Sequence, residues 1–226
     1  MQGTMEYMIR KATERPSLKG QWDEPAWQRA QVVTLDCFLK ESSEHHPRVE
    51  ARVTYWEDSL FVLFRVFDKY VRSTRTDYQS RVCEDSCVEF FVRPCPEKGY
   101  FTFEINCGGA MLLYYIEDAT RLDNGFAEYS QVPRKLADQI DIYHSLPDIV
   151  DPEKEDDLEW TVEYSVPFRF FESYVGRIRD VSGRTWHGNF YKCASDSSHP
   201  HWASWAPLRG EFNFHVPDCF APLRFE

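Results

Sequence analysis

The sequence predicts an all-β fold, an antiparallel β-sandwich of about ten strands with a few short helical turns, and three observations carry that prediction. Short alternating segments recur, as in Val49, Ala51, Val53 and Tyr55 set against Glu50, Arg52 and Thr54. Turn residues separate them, and no βαβ alternation is present. No internal repeat, low-complexity tract or linker interrupts the 226 residues. One domain spanning 1–226 is the simplest partition, with 1–15 as a loose N-terminal segment.

In chain order, Asp23 is a candidate cap for a short helical turn in DEPAWQRA, with Pro25 in its first turn and Trp27 on its inner face. Residues 32–38 read as a strand, followed by the polar loop ESSEHHP, in which His45 and His46 are expected to be solvated. The strand 49–55 and the doubly apolar strand 60–67 form a hairpin around Glu57 and Asp58. A long polar loop follows, up to Glu84.

The hairpin of residues 87–93 and 100–106 is the most informative stretch. Symmetrical pairing around PCPEKG places Val88, Phe90 and Val92 with Ile105, Phe103 and Phe101 on one face, and sets Glu89 opposite Glu104 on the other. Like charges across a strand pair destabilise by up to about 1 kcal/mol. That register therefore implies a cation, a shared proton or a ligand at the pair, unless the pairing slips by two or water screens the charges.

Gly108 and Gly109 mark a turn, 111–116 a strand, 118–133 a loop and 139–146 another short strand. The acidic run 151–159 reads as a solvated turn, because it lacks the ordered spacing of a calcium loop. Residues 160–167 alternate as a strand, PFRFFESY gives a helical turn or two opened by Pro167, and strands at 185–193 and 223–226 complete the order.

The net charge of -11 and the lack of a Lys/Arg-rich run exclude a phosphate-tracking nucleic-acid role. Seven cysteines without C-x2-C spacing are expected to be free buried thiols, and nothing in the sequence joins Cys83 and Cys87 to His199 and His201 as a zinc cage. No stretch reaches the roughly 20 apolar residues of a membrane span. The start MQGTMEYMIRK lacks a signal-peptide core, so a cytoplasmic location is expected, or an extracytoplasmic one if a leader has been removed.

Residues 185–207 concentrate Trp186, Tyr191, Trp202 and Trp205 among Asn189, Lys192, Asp196, Ser197, Ser198, His199 and His201. Indoles that stack on C–H groups, beside short polar side chains, suit a sugar. The segments EDSCVEFFVRP, YFTFEIN, WTVEYSVPF and WHGNFYK, with the ending WAPLRGEFNFHVPDCFAPLRF, resemble the family 9 carbohydrate-binding modules, including their free-standing branch.

The resemblance implies a noncatalytic sandwich that clamps a sugar between two tryptophans. Trp205 matches one clamp residue, Glu89 the sugar-contacting carboxylate and Asn189 a polar position before the platform. The second clamp tryptophan falls at about Cys83, and the family's basic residue at Glu104. Both are departures, for which Trp202, Tyr191 or an aromatic of the 69–82 loop such as Tyr78 are the replacement candidates. The ligand-binding set is therefore Trp205, Trp202, Glu89, Glu104, Asn189 and Tyr191, with no catalytic residue. Structural calcium is implied without an assigned ligand set, and no protein partner is assigned. The rival readings are a glycoside hydrolase using Glu89 with Glu104 or Asp196, at the roughly 5 Å separation of a retaining pair, and a protein-interaction sandwich.

Overall fold

The computed structural model describes residues 5–123, 125–210 and 213–226. Residues 1–4 of the expected loose segment, Asn124 of the expected 118–133 loop, and Glu211 and Phe212 of the ending lie outside the described residues.

The strands are β1 (Tyr7–Lys11), β2 (Val33–Thr34), β3 (Cys37–Phe38), β4 (Arg48–Trp56), β5 (Ser59–Asp68), β6 (Val71–Ser73), β7 (Cys87–Arg93) and β8 (Tyr100–Asn106). They continue with β9 (Met111–Leu122), β10 (Gly125–Gln131), β11 (Asp141–His144), β12 (Val150–Lys154), β13 (Leu158–Pro167), β14 (Thr185–Ala194), β15 (His201–Ser204) and β16 (Ala221–Phe225). Two short helices, α1 (Arg134–Ala137) and α2 (Phe168–Val175), join them.

One layer runs β10-β9-β8-β7-β14-β16-β1, and the other runs β1-β4-β5-β13-β11. The first strand belongs to both, lying parallel to β16 and to β4. Residues 7–11 are thus tied into the fold, contrary to the loose segment expected. Tyr7 and Ile9 are buried, and the Tyr7 hydroxyl donates to the Val53 carbonyl at 3.0 Å. Between the layers, Phe103 stacks on Tyr164 with centroids 5.9 Å apart, and Phe64 meets Phe190 edge-on at 6.1 Å. Helix α2 adds Phe170 and Phe171, both fully buried.

Both expected hairpins are present, and β7–β8 has the expected register. Val53 pairs with Val62 in β4–β5, and Phe90 with Phe103 in β7–β8. Gly109 takes φ +85 in the expected turn. Strands missing from the sequence reading are mostly too short to show a period. Residues 32–38 divide into β2, which pairs with β4, and β3, which pairs with β15, so this segment serves both layers. The expected 118–133 loop is instead a hairpin, in which β9 runs on to Leu122 and β10 returns beside it. Its residues are mostly exposed on both faces, so no apolar alternation marks it. The acidic run begins in β12, which pairs with β6.

The N-cap of the 3-10 turn Pro25–Trp27 is Glu24 rather than Asp23. The Glu24 carboxylate instead accepts a bond from the Ser17 amide at 3.1 Å. Trp27 is fully buried, as expected.

The layers also enclose charge. Asp68 on β5 and Lys192 on β14 approach to 3.6 Å with both side chains fully buried. Lys192 Nζ lies 2.8 Å from His201 Nε2, and His201 Nδ1 lies 2.9 Å from the His199 carbonyl. An ammonium can only donate, so His201 accepts at Nε2 and carries its proton on Nδ1. Burial first, and then the Lys192 charge, push its pKa down to about 3. Asp68 is held at about 2: burial opposes ionisation, and Lys192 and the His45 hydrogen bond outweigh it. His45 is correspondingly not solvated but bonded to Asp68 at 2.8 Å, whereas His46 is exposed as expected and stacks on Phe38 at 4.1 Å. All seven cysteines are free, and His201 is committed to Lys192, so the disfavoured zinc cage finds no support.

Candidate functional site

Strand parity decides which side chains reach the outer face of the first layer. On β7, Val88, Phe90 and Val92 turn into the core, which leaves Cys87, Glu89 and Phe91 on the opposite face. The register Glu89↔Glu104 is the one the sequence predicted, and Tyr191 lies opposite Glu89 from the other side. Cys87 likewise faces Cys193.

Over this face lies a cavity of about 740 Å³. Glu89, Glu104 and Cys193 line it from the sheet, Trp202 from β15, and Cys83 and Ser195 from adjoining turns. Arg81, Arg121 and Arg209 bring exposed guanidiniums, and Asn213, Phe214, His215 and Val216 complete the enclosure. The volume falls within the roughly 300–1,000 Å³ usual for small-molecule sites.

The pair is almost dry, with Glu89 2% and Glu104 6% exposed. Burial raises the Glu89 pKa to about 7, while the Cys193 hydrogen bond and Lys192 pull it partly back. Burial and then the charge of Glu89 push Glu104 well above the usual carboxylate range, against Thr102 and Arg121. Two carboxyls facing each other in a dry site cannot both ionise cheaply, so the pair retains a proton near neutrality. Cys193 Sγ donates to Glu89 Oε1 at 2.9 Å. Half-buried His215 is neutral: its place among Phe91, Phe126 and Tyr100 and the nearby Arg121 push its pKa down to about 3.

Of the six predicted ligand-binding residues, Trp202, Glu89 and Glu104 come together at this cavity. Trp205 does not. It is 7% exposed and packed edge-on against Phe190 at 5.6 Å and Tyr7 at 6.3 Å, in the core between the layers. Trp202 pairs with Cys193 and shares the outer face, whereas three residues further along the chain has turned over and the second indole enters the core.

Asn189 is fully buried, and its amide clamps the segment after β15. Its Oδ1 accepts from the Ala206 and Phe190 amides at 2.8 and 2.9 Å, and its Nδ2 donates to the Ala206 carbonyl at 3.0 Å. Tyr191 is also fully buried. Its hydroxyl donates to the Phe214 carbonyl at 3.1 Å, and its ring stacks on Phe214 at 4.3 Å, so it positions a wall residue and is not itself one. Tyr78 is bonded to the Val132 carbonyl at 2.6 Å and does not line the cavity.

The sequence reading missed the arginines and the 213–216 wall. Arg121 sits on the part of β9 that reads as loop. Asn213, Phe214 and His215 repeat the aromatic and polar mixture of 185–207, which was the available signal.

Calcium calls for six to eight oxygen ligands. Among the described residues, the His, Cys, Asp and Glu side chains that converge on one point are Cys87, Glu89 and Cys193. Two thiols and one carboxyl do not suit that ion, and no calcium site is assigned.

Comparison with known proteins gives a consistent picture. The family described as "Carbohydrate-binding family 9" matches residues 25–225. A structure from Bacteroides uniformis, to which carbohydrate binding has been ascribed, superposes with a TM-score of 0.81 at 25% identity, covering 98% of this chain and 99% of that one. A family 9 carbohydrate-binding module from Caldicellulosiruptor kristjanssonii in complex with cellotriose superposes at 0.61, with 13% identity and coverage of 98% and 94%. A module of the same family and organism in complex with glucose gives 0.60, at 14% identity and coverage of 97% and 95%. No curated protein sequence matches.

Proposed function

Because the chain belongs to carbohydrate-binding family 9, we propose that it binds a saccharide, without catalysis, in the cavity over β7, β8 and β14. The observation that carries this placement is the Glu89–Glu104 pair at the floor, with Trp202 on the wall and arginines at the rim. A carboxyl pair that shares a proton offers both donors and acceptors to vicinal hydroxyls. The Trp202 indole supplies an apolar surface for sugar C–H groups, Phe214 a second one, and Asn213 an amide. The clamp that the resemblance assigned to Trp205 passes to Trp202.

Among the described residues, no helix is long and apolar enough to cross a membrane. The ligand reading needs no perturbed acid for chemistry, and turnover of aryl glycosides is what separates it from a hydrolase that uses the same two carboxyls.

The test is calorimetric titration with cellotriose and glucose, preceded by a glycan array. Binding that weakens at least about tenfold in Trp202→Ala, with aryl glycosides left intact, supports the reading. Array-wide silence would refute it, as would glycoside turnover abolished in Glu89→Gln, which would move the protein into the hydrolase class.

A further inference from the structure

The deepest part of the outer face carries more sulfur than a sugar site requires. Cys87 and Cys193 lie directly opposite each other across β7 and β14, two residues along from the Glu89–Tyr191 pair. Their Sγ atoms and a Glu89 carboxylate oxygen all fall within 4.8 Å of one another. We propose that Cys87, Cys193 and Glu89 form a binding site for a thiophilic divalent cation of the zinc class, with its fourth coordination position facing the cavity.

Tetrahedral zinc, with bonds of about 2.3 Å to sulfur and 2.0–2.2 Å to oxygen, sets neighbouring ligand atoms roughly 3.6–3.8 Å apart. The three atoms, all within 4.8 Å of one another with one edge at 2.9 Å, bracket that triangle. The 2.9 Å contact from Cys193 to Glu89 opens by well under 1 Å once a cation replaces the shared hydrogen. Three ligands from adjacent, paired strands are held by sheet hydrogen bonds rather than by loops, which limits the ordering needed on binding. Glu89 and Cys193 line the cavity, so the ion has an entry path. Glu104, opposite Glu89, keeps the proton of the pair and lies in place as an outer donor to the ligating carboxylate.

The chemistry balances simply: the cation takes the place of the protons on the two thiols and the carboxyl, which pass to solvent, and nothing is oxidised. The surroundings suit this exchange. Arg81 is already bound to Glu84 at 2.9 Å, and Arg121 lies over the Phe126 ring at 4.1 Å. Lys192 points through the opposite face of β14 to Asp68. The assignment does not rest on the sugar reading.

The test uses the full chain, stripped with chelator, in a Cys37→Ser/Cys95→Ser/Cys219→Ser background that removes three partly exposed thiols. One equivalent of Co²⁺ should produce thiolate-to-cobalt charge-transfer absorption, and one equivalent of Zn²⁺ should abolish it. Cys193→Ser should eliminate the band. Glu89→Gln, a nearly isosteric change, should weaken Zn²⁺ binding by more than about tenfold, at least as much as loss of an outer-sphere partner does. Absence of the band in the background protein would overturn the proposal. So would a band that survives Cys193→Ser, or Zn²⁺ affinity unchanged in folded Glu89→Gln.

Discussion

Replacing Glu104 by glutamine converts the buried pair into one carboxyl facing one neutral amide of the same shape. The wild-type pair must lose protons at high pH in a place where burial and mutual repulsion oppose it. For Glu89, the rise from 4.5 to about 7 comes from burial, corresponds at about 1.36 kcal/mol per pH unit to roughly 3 kcal/mol, and persists in the variant. What the variant removes is the Glu104 carboxyl, which burial and then Glu89 push well above the usual range. A carboxyl whose pKa is higher folded than unfolded contributes stability that is fully present below 4.5 and lost as pH rises through about 7. Glutamine at 104 removes the repulsive part, and the variant should be more stable than wild type by about 1–3 kcal/mol at pH 8 and by under about 1 kcal/mol at pH 5, the smaller of the two.

His201 and His215 act in the opposite sense. Both are depressed to about 3, so they reduce stability as pH falls below 6.5, the value they have when unfolded. They are common to both proteins and cancel in the difference. Urea unfolding followed by tryptophan fluorescence at pH 5, 6.5 and 8, with chelator present, measures the difference directly. A variant no more stable than wild type at pH 8, or an advantage as large at pH 5, would refute the description of the pair as buried and repulsive.

Three further outcomes follow from the packing. Trp205→Ala should cost about 3–5 kcal/mol through the cavity left against Tyr7 and Phe190, with sugar affinity unchanged in the remaining folded protein; Trp202→Ala should do the reverse, and titration beside thermal melting separates them. Lys192→Met should destabilise by about 3–5 kcal/mol, because Asp68 is left buried without its ammonium; urea unfolding at neutral pH reads this, and Lys192→Arg should restore part of it. Asn189→Ala removes three hydrogen bonds to residues 190 and 206, and should cost about 1–3 kcal/mol and raise amide hydrogen exchange in 206–216 ahead of the rest of the chain.

Local periodicity made several features legible. Alternation over 49–55 and the symmetry of residues 87–93 about PCPEKG were sufficient for both hairpins, and therefore for placing Glu89 against Glu104. A strand register repeats every two residues and depends on neighbours a few positions away. The N-terminal strand was not legible in this way, since its partners are β16 and β4, more than forty residues off in either case. Neither was the β9–β10 hairpin, which stands out from the core with polar residues on both faces.

The sequence by itself determined the β class, the acidic pair and the family, because these rest on short-range pattern and on motifs in series. Only the tertiary structure decided which tryptophan meets solvent and what closes over the carboxyls. Two indoles three residues apart look alike in a sequence, yet the parity of β15 sends one to the cavity and the other between the layers. The 213–216 segment becomes a wall where Tyr191, from β14, bonds to and stacks on Phe214.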